Sequence, residues 1–255
     1  MDGLEETMKD MMISKSYSEL EGMIRGIMTV REQRLVCLSL IQYIIDQNIE
    51  LVASLTSICH LALTMVSSAG NMLEGTDVDN VLRKKLFEYY VEMEKDYPSA
   101  AQIFSTLRCI SSSSTLYGSQ IKDQLNVHVS VAECYLECDS CAEADAAVTK
   151  ATGIVNSLTV ETEEDEILWL RYKSVTARVM DANRKFLQAA IRYQELSSTQ
   201  TTKKEELIDS HDLLLFLGRS ATCAILAQQS SQRQRILQTV STKPILHPYL
   251  SPTIQ

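Results

Sequence analysis

Apolar residues recur along the chain at helical spacing and nowhere alternate at strand spacing for long. Leu51, Leu55, Ile58, Ala62 and Met65 fall on one stripe of an amphipathic helix. Upstream, Leu35, Leu38, Ile41 and Ile45 make a similar face, and the Met-rich opening with Met8, Met11, Met23 and Ile27 reads as helical too. Val78, Leu82, Leu86, Tyr89 and Met93 continue the pattern until Tyr97-Pro98 breaks it. A short helix through Ala101, Phe104 and Leu107 then runs into Ser111 to Ser114, a polar stretch expected to be a loop.

From Ile121 the pattern becomes regular. Leu125, Val129, Ala132 and Leu136 mark one helix, and Ala144, Val148, Ala151, Val155 and Leu158 the next. Between them Ser140 and Glu143 have the spacing of a capping box, which places the turn. A second pair runs through Leu168, Tyr172, Val175 and Val179, then Phe186, Ala190 and Tyr193. A third begins with Leu214, Leu217, Ala221 and Ile225 and continues from Ser231 to Val240. Leu136, Val148, Val175 and Tyr193 are the expected continuous core. Small residues return at Ala132, Ala177 and Ala221, and Ala144 is matched by Ala189, at intervals of about 45 residues. Alanine there lets two helix backbones approach, which helix propensity alone would not space so regularly. The expected fold is all-α, an α-solenoid of stacked antiparallel hairpins of the TPR or HEAT kind. Its divisions are a helical arm over 1–110, a loop over 111–120, repeats over 121–243 and an irregular tail over 244–255.

Composition agrees with helices: 8 glycines and 4 prolines in 255 residues leave little material for the turns of a sheet protein. The formal charge of −9 argues against nucleic acid as a partner, since phosphate binding concentrates Lys and Arg on one face. Arg83, Lys84, Lys85 and the pair Lys203, Lys204 are too short and isolated for such a patch. An odd number of cysteines, 7, and the lack of an Asn-X-Ser/Thr acceptor favour a reducing compartment. The acidic start MDGLEETMKD does not read as a signal peptide, and no apolar run approaches the roughly 18 residues that span a bilayer. The expectation is a soluble cytoplasmic or nuclear protein without a membrane partner.

Few residue groups invite chemistry. Cys134, Cys138 and Cys141 with His128 nearby carry zinc-ligand types, but a structural site pairs such a motif with a second one, and none exists here. They read as packing residues at a hairpin turn. Cys59 and His60 belong to another helix. Asp209, Ser210, His211 and Asp212 hold every residue type of a hydrolase triad, yet consecutive helical residues point apart, so a polar helix entry is expected. No nucleophile elbow, zinc-protease helix or Gly-rich phosphate loop occurs. The run Glu161, Glu163, Glu164, Asp165, Glu166 could face a metal or a basic partner, but Thr162 before three acids is the pattern of a helix start. The 10 methionines could line an adaptable groove, although several sit at core spacing. No catalytic, cofactor-binding or metal residue, and no cofactor, is expected.

The block VAECYLECDSCAEADAAVTKATGIV, then LWLRYKSVTARVMDANRKFLQAAIRYQELS and SATCAILAQQSSQRQRILQTV, resembles the repeat region of the fourth-subunit family of the COP-9 signalosome, within the PCI-domain proteins. The most specific pieces are Ala132 with Tyr135-Leu136, Ala142-Glu143-Ala144, Ala177-Arg178-Val179 with Asp181, Arg184-Lys185-Phe186 with Ala189-Ala190 and Arg192-Tyr193, Glu195-Leu196-Ser197, and Cys223 to Ala227. The similarity is strongest over residues 125 to 240. It implies a non-catalytic scaffold that works with PCI and MPN subunits and a cullin–RING ligase in deneddylation, the metalloprotease being another subunit. A paralogous subunit of the proteasome lid is the alternative within the same resemblance, and a free-standing helical-repeat adaptor the alternative outside it. A small hydrolase is the enzyme-class alternative, for which no complete site is present. Family members continue into a winged helix and a long C-terminal helix, whereas this sequence ends at HPYLSPTIQ. The resemblance therefore implies poor entry of these 255 residues alone into a signalosome.

Overall fold

Every regular element among the described residues is a helix, as the spacing of apolar side chains requires. The computed structural model describes residues 2–26, 39–47, 51–68, 76–107, 117–158, 160–198 and 210–242. The chain divides into two compact units, Met1–Ile110 and Ser111–Gln255.

The first unit contains α1 (Asp2–Ile13), α2 (Tyr17–Gly26), α3 (residues 39–46), α4 (Ala53–Ser68), α5 (Thr76–Tyr89) and α6 (Tyr97–Ser105). Its core is built from one stripe of each helix: Met8 and Met12, Leu20 and Ile24, Ile41 and Ile44, Leu55 and Ile58, Leu82 and Leu86, then Ala100 and Phe104. Asp96 caps α6 by accepting from the Ser99 N–H, and Pro98 sits in the first turn, where its missing N–H costs nothing. Between α5 and α6 the backbone widens into a π turn over Tyr90–Glu94. Tyr90, four residues after Leu86, is buried where Tyr89 was expected, and past the extra residue Met93 is 74% exposed. Leu51 precedes α4, and Leu107 follows α6.

The second unit contains α7 (Tyr117–Glu137), α8 (Cys141–Val155), α9 (Glu163–Ala182), α10 (Phe186–Ser197), α11 (Ser210–Leu226) and α12 (Ser231–Thr242). Each pairs with its successor, and α7 also packs on α9, and α10 on α12, which is the stacking of hairpins in a solenoid. Ala177, Ala189, Ala190, Tyr193, Leu196, Leu217, Ala224 and Ile236 form one buried cluster through the second and third hairpins. Arg233 closes the third by donating to the Ala224 and Ile225 carbonyls at the end of α11.

The hairpin turns repeat a device that uses no glycine. At α7–α8 the Ser140 N–H reaches Tyr135 O at 2.9 Å and Asp139 takes φ 56°. At α9–α10 the Lys185 N–H reaches Met180 O at 2.8 Å and Arg184 takes φ 58°. Both are Schellman turns with an ordinary residue in the left-handed position. Asp139 and Arg184 stand at the same interval as Ala132 and Ala177, so the repeat extends to the backbone of the turn.

Several expectations need correction. Ser140 does occupy the N-cap of α8, but no side-chain cap bond forms. Its N–H is already given to Tyr135, and its ψ of 69° falls well short of the extended backbone that aims a capping hydroxyl. The working box is one hairpin later, at Thr162, whose ψ is 164°. Leu136 is only partly buried, because α7 is about to end, and Leu158 lies beyond α8. In α11 the inward stripe is Leu217, Ser220, Cys223 and Ala224, continued by Ala227 just past its end, while Ala221 is partly buried and Ile225 is 62% exposed. The expected loop over 111–120 is shorter, since α7 already begins at Tyr117; its residues 111–116, Ile27, Leu35, Leu38, the tail over 244–255 and the side chains of Met65 and Val78 lie outside the described residues.

Candidate functional site

The groove in the second unit where α7, α9 and α11 present their outer faces is the chief concentration of polar chemistry among the described residues. On α7, Lys122, Asn126, Ser130, Glu133 and Glu137 follow helical spacing on the side that meets α9. On α9 their partners are Asp165, Arg171 and Arg178. Lys122 Nζ meets Asp165 Oδ1 at 2.7 Å. Arg171 binds Glu133 Oε2 through Nη2 at 2.6 Å and donates to Asn126 Oδ1 and Ser130 Oγ at 3.1 and 3.3 Å. Arg178 Nη2 reaches Glu137 at 2.7 Å. Three charged links thus run along one seam, and the planar fork of Arg171 bridges three side chains of α7 at once.

Asp165 is only 1% exposed, although it stands in the first turn of a surface helix. Its Oδ2 accepts from the N–H groups of Thr162 and Glu161, while Thr162 Oγ1 accepts from the Asp165 N–H. Burial pushes the carboxyl up, but the bonds from Lys122, Thr162 and the two backbone N–H groups outweigh it and hold the group far below the usual carboxylate range. The acidic run is therefore a helix start whose third residue is turned inward. Glu163 and Glu164 remain exposed.

Two clefts flank α9. One, of about 300 Å³, is polar and lies between α7 and α9, with Lys122, Asp123, Asn126, Glu164 and Arg171 on its walls. The other, of about 200 Å³, lies toward α11 and is floored by Leu170 and Leu196, with Ile167 and Phe216 as walls and Asp212 at its rim. Ile167 and Arg171 line both, so the clefts adjoin across α9.

The thiol group read from the sequence does not converge. Cys134 is buried in α7, and burial, reinforced by Glu133, pushes its thiol up to about 12. Cys138 lies just past the helix end and donates to Tyr135 O and Ser140 Oγ, while Cys141 starts α8 and donates to Asp139 O. His128 is half-buried, and burial together with Lys150 lowers its basicity. Among the described residues no three His, Cys, Asp or Glu side chains come together as a metal site would need. Cys59 is likewise buried with its thiol near 12, and His60 Nε2 pairs with Tyr90 OH at 2.7 Å. His211 and Asp212 point to solvent in the first turn of α11, while Asp209, Lys203 and Lys204 lie outside the described residues. Arg83 is held by Asp79 and Thr106 rather than free to bind phosphate. No helix among the described residues is long and apolar enough to cross a membrane.

Sequence reading missed Arg171. The sequence carried half of the signal, an arginine beside Leu168, Trp169 and Leu170 and seven residues before Arg178, while its partners on α7 lie 38 to 45 residues away.

This architecture has a family. A family model described as PSMD12/CSN4, N-terminal matches residues 11–205. The chain belongs to that family. COP9 signalosome complex subunit 4 of Arabidopsis thaliana is 35% identical over 161 residues, covering 63% of this chain and 38% of that protein. The subunit of the same name from Drosophila melanogaster is 32% identical over 120 residues, 47% of this chain and 27% of its own. That of Emericella nidulans is 28% identical over 179 residues, 70% and 40%. The chain thus spans well under half the length of the curated relatives it matches. The PSMD12/CSN4 match runs over helices of both units and contains the whole α7–α9 seam with Arg171 and Asp165.

Proposed function

We propose that the chain is a non-catalytic helical-repeat scaffold of the signalosome type, one that supports deneddylation of cullin–RING ligases by contact with PCI and MPN subunits in the cytoplasm and nucleus. The observation that carries this reading is the PSMD12/CSN4 match over 195 residues, joined to relatives that each bear the name COP9 signalosome complex subunit 4. The seam fits the role, because three charged links hold two stacked hairpins in fixed register and offer a protein partner a stiff surface.

The family description couples the signalosome subunit with PSMD12, so a proteasome-lid type of subunit is the second reading. A cross-linking pull-down from cell extract separates them. Recovery of signalosome PCI and MPN subunits supports the first reading, recovery of lid subunits the second, and recovery of neither overturns both. The purified chain alone is expected to leave a Nedd–cullin conjugate intact. Cleavage by it would overturn the scaffold reading.

A further inference from the structure

Among the described residues of the second unit, the apolar cleft between α9 and α11 stands open. Its floor is the nearly closed Leu170 and Leu196, and its walls are Ile167, 43% exposed, and the half-buried Phe216, which is fixed by stacking on Tyr193 at 6.3 Å between ring centroids. About 200 Å³ admits one leucine- or phenylalanine-sized side chain, since a cavity of about 150 Å³ holds benzene. A rigid aromatic wall beside an aliphatic floor is the form of a pocket for a single anchor residue.

Charge says what surrounds that anchor. The two cations lining the adjoining clefts, Lys122 and Arg171, are already bound to Asp165 and Glu133. Asp123, Glu164 and Asp212 line the same clefts, are exposed, and form no ion pair with a described residue. Among the described residues the surface around the pocket is therefore negative over both clefts, in a chain of net charge −9. An acidic partner would be repelled and a basic one drawn in.

We propose that this cleft binds a basic linear protein segment that inserts one large apolar residue between Ile167 and Phe216 and lays its Lys or Arg residues along Asp123, Glu164 and Asp212. The proposal concerns the second unit itself and stands apart from which assembly the chain enters.

The test uses the full 255-residue chain and a fluorescein-labelled twelve-residue peptide of Lys, Arg and Ser with one central Leu. Fluorescence anisotropy at low salt is expected to show saturable binding. Replacing that Leu with Gly should weaken it about tenfold, and 0.5 M NaCl should weaken it by a similar factor through screening. In the protein, Ile167→Ala should weaken the Leu peptide and leave the Gly peptide unchanged. The pair Glu164→Gln and Asp212→Asn should weaken both, with the circular-dichroism melt lowered by no more than a few degrees through the two helix starts. Equal binding of a Glu-substituted peptide, absence of binding at 1 mM peptide, or indifference to both sets of variants would overturn the proposal. Concentration-dependent dimerisation abolished by Ile167→Ala would overturn it in favour of a second copy of the chain.

Discussion

The Lys122 ammonium meets the Asp165 carboxylate at 2.7 Å across the α7–α9 seam, and Asp165 is at the same time the third residue of the capping box that starts α9. One carboxylate thus ties the beginning of a helix to its neighbour. The arrangement explains how an aspartate can be almost completely enclosed: three donors, the Lys122 ammonium and the Thr162 and Glu161 N–H groups, replace the water it loses.

A pH dependence follows. The folded-state pKa of Asp165 lies below its unfolded value, so the group contributes stability that is fully present above about pH 4 and is lost as pH falls through the folded value. In Asp165→Asn that contribution is gone at every pH, and the stability curve should be flatter below about pH 4. At neutral pH the substitution should cost about 1–3 kcal/mol, the range for a charged hydrogen-bond partner removed from a buried site. Urea unfolding of both proteins from pH 2.5 to 7 checks this. Parallel curves would show that Asp165 is not held in its charged form by folding.

The thiols should divide into two classes. Cys59, Cys134 and Cys223 are buried, and burial pushes each up to about 12, whereas Cys138 and Cys141 are partly exposed at a turn. In a Cys37→Ser, Cys109→Ser background, a thiol reagent at pH 8 should label two groups quickly and three only on unfolding. Adding Cys138→Ser and Cys141→Ser should remove the fast phase and shift Tm by less than about 2 °C, as for exposed substitutions. Stoichiometric zinc in the purified chain, with unfolding by a chelator, would contradict that reading of the turn.

The course of the helices could be read from the sequence wherever one periodic stripe meets one neighbour, as with Leu125, Val129 and Ala132, or Val175 and Val179. It could not be read where the backbone leaves the standard turn. Nothing in YVEME announces a π turn, so Met93, expected on the buried stripe, is exposed beyond it, and Tyr90 takes the place expected of Tyr89. The start of α9 was legible because Thr162 and three acids combine two independent signals, whereas Ser140 and Glu143 supplied spacing alone. The Arg171 bridge depends on α7 lying beside α9, a tertiary contact that spacing within one helix does not encode.

The left-handed turn residues give a third expectation. Among the described residues Arg184 makes no side-chain hydrogen bond or ion pair that would be lost, and its φ of 58° costs an ordinary residue about 1–2 kcal/mol relative to glycine. Part of that gain returns to the unfolded chain as entropy, so Arg184→Gly should stabilise by about 0.5–1 kcal/mol. Asp139→Gly should gain less, because aspartate tolerates this conformation better. Lys185→Gly, at φ −79°, should destabilise slightly, because glycine relieves no left-handed strain there and the ion pair to Asp145 is lost. Urea midpoints of the three variants test the ordering, and a loss in Arg184→Gly would mean that the side chain has a structural role beyond the turn.

The last expectation separates two alanines that sequence spacing does not. The repeat interval points to Ala221 as the partner of Ala132 and Ala177, yet in α11 it is Ala224 that is fully enclosed, beside Ser220, whose hydroxyl donates to the Ala190 carbonyl at 2.8 Å. That bond shows how closely α10 and α11 approach, and small side chains at Ala189, Ala190, Ser220 and Ala224 are what permit it. A leucine at 224 must displace backbone or neighbouring core, at a cost of about 1–3 kcal/mol or more for an overpacked site. At 221 the side chain is partly exposed, and a leucine can turn outward at a cost within about 0.5 kcal/mol. Thermal melts of Ala224→Leu and Ala221→Leu are therefore expected to differ by several degrees, the first being the lower. Equal melting points would place the crossing at Ala221, as the spacing alone suggests, and would remove the close approach at Ser220 from the account of how the third hairpin docks.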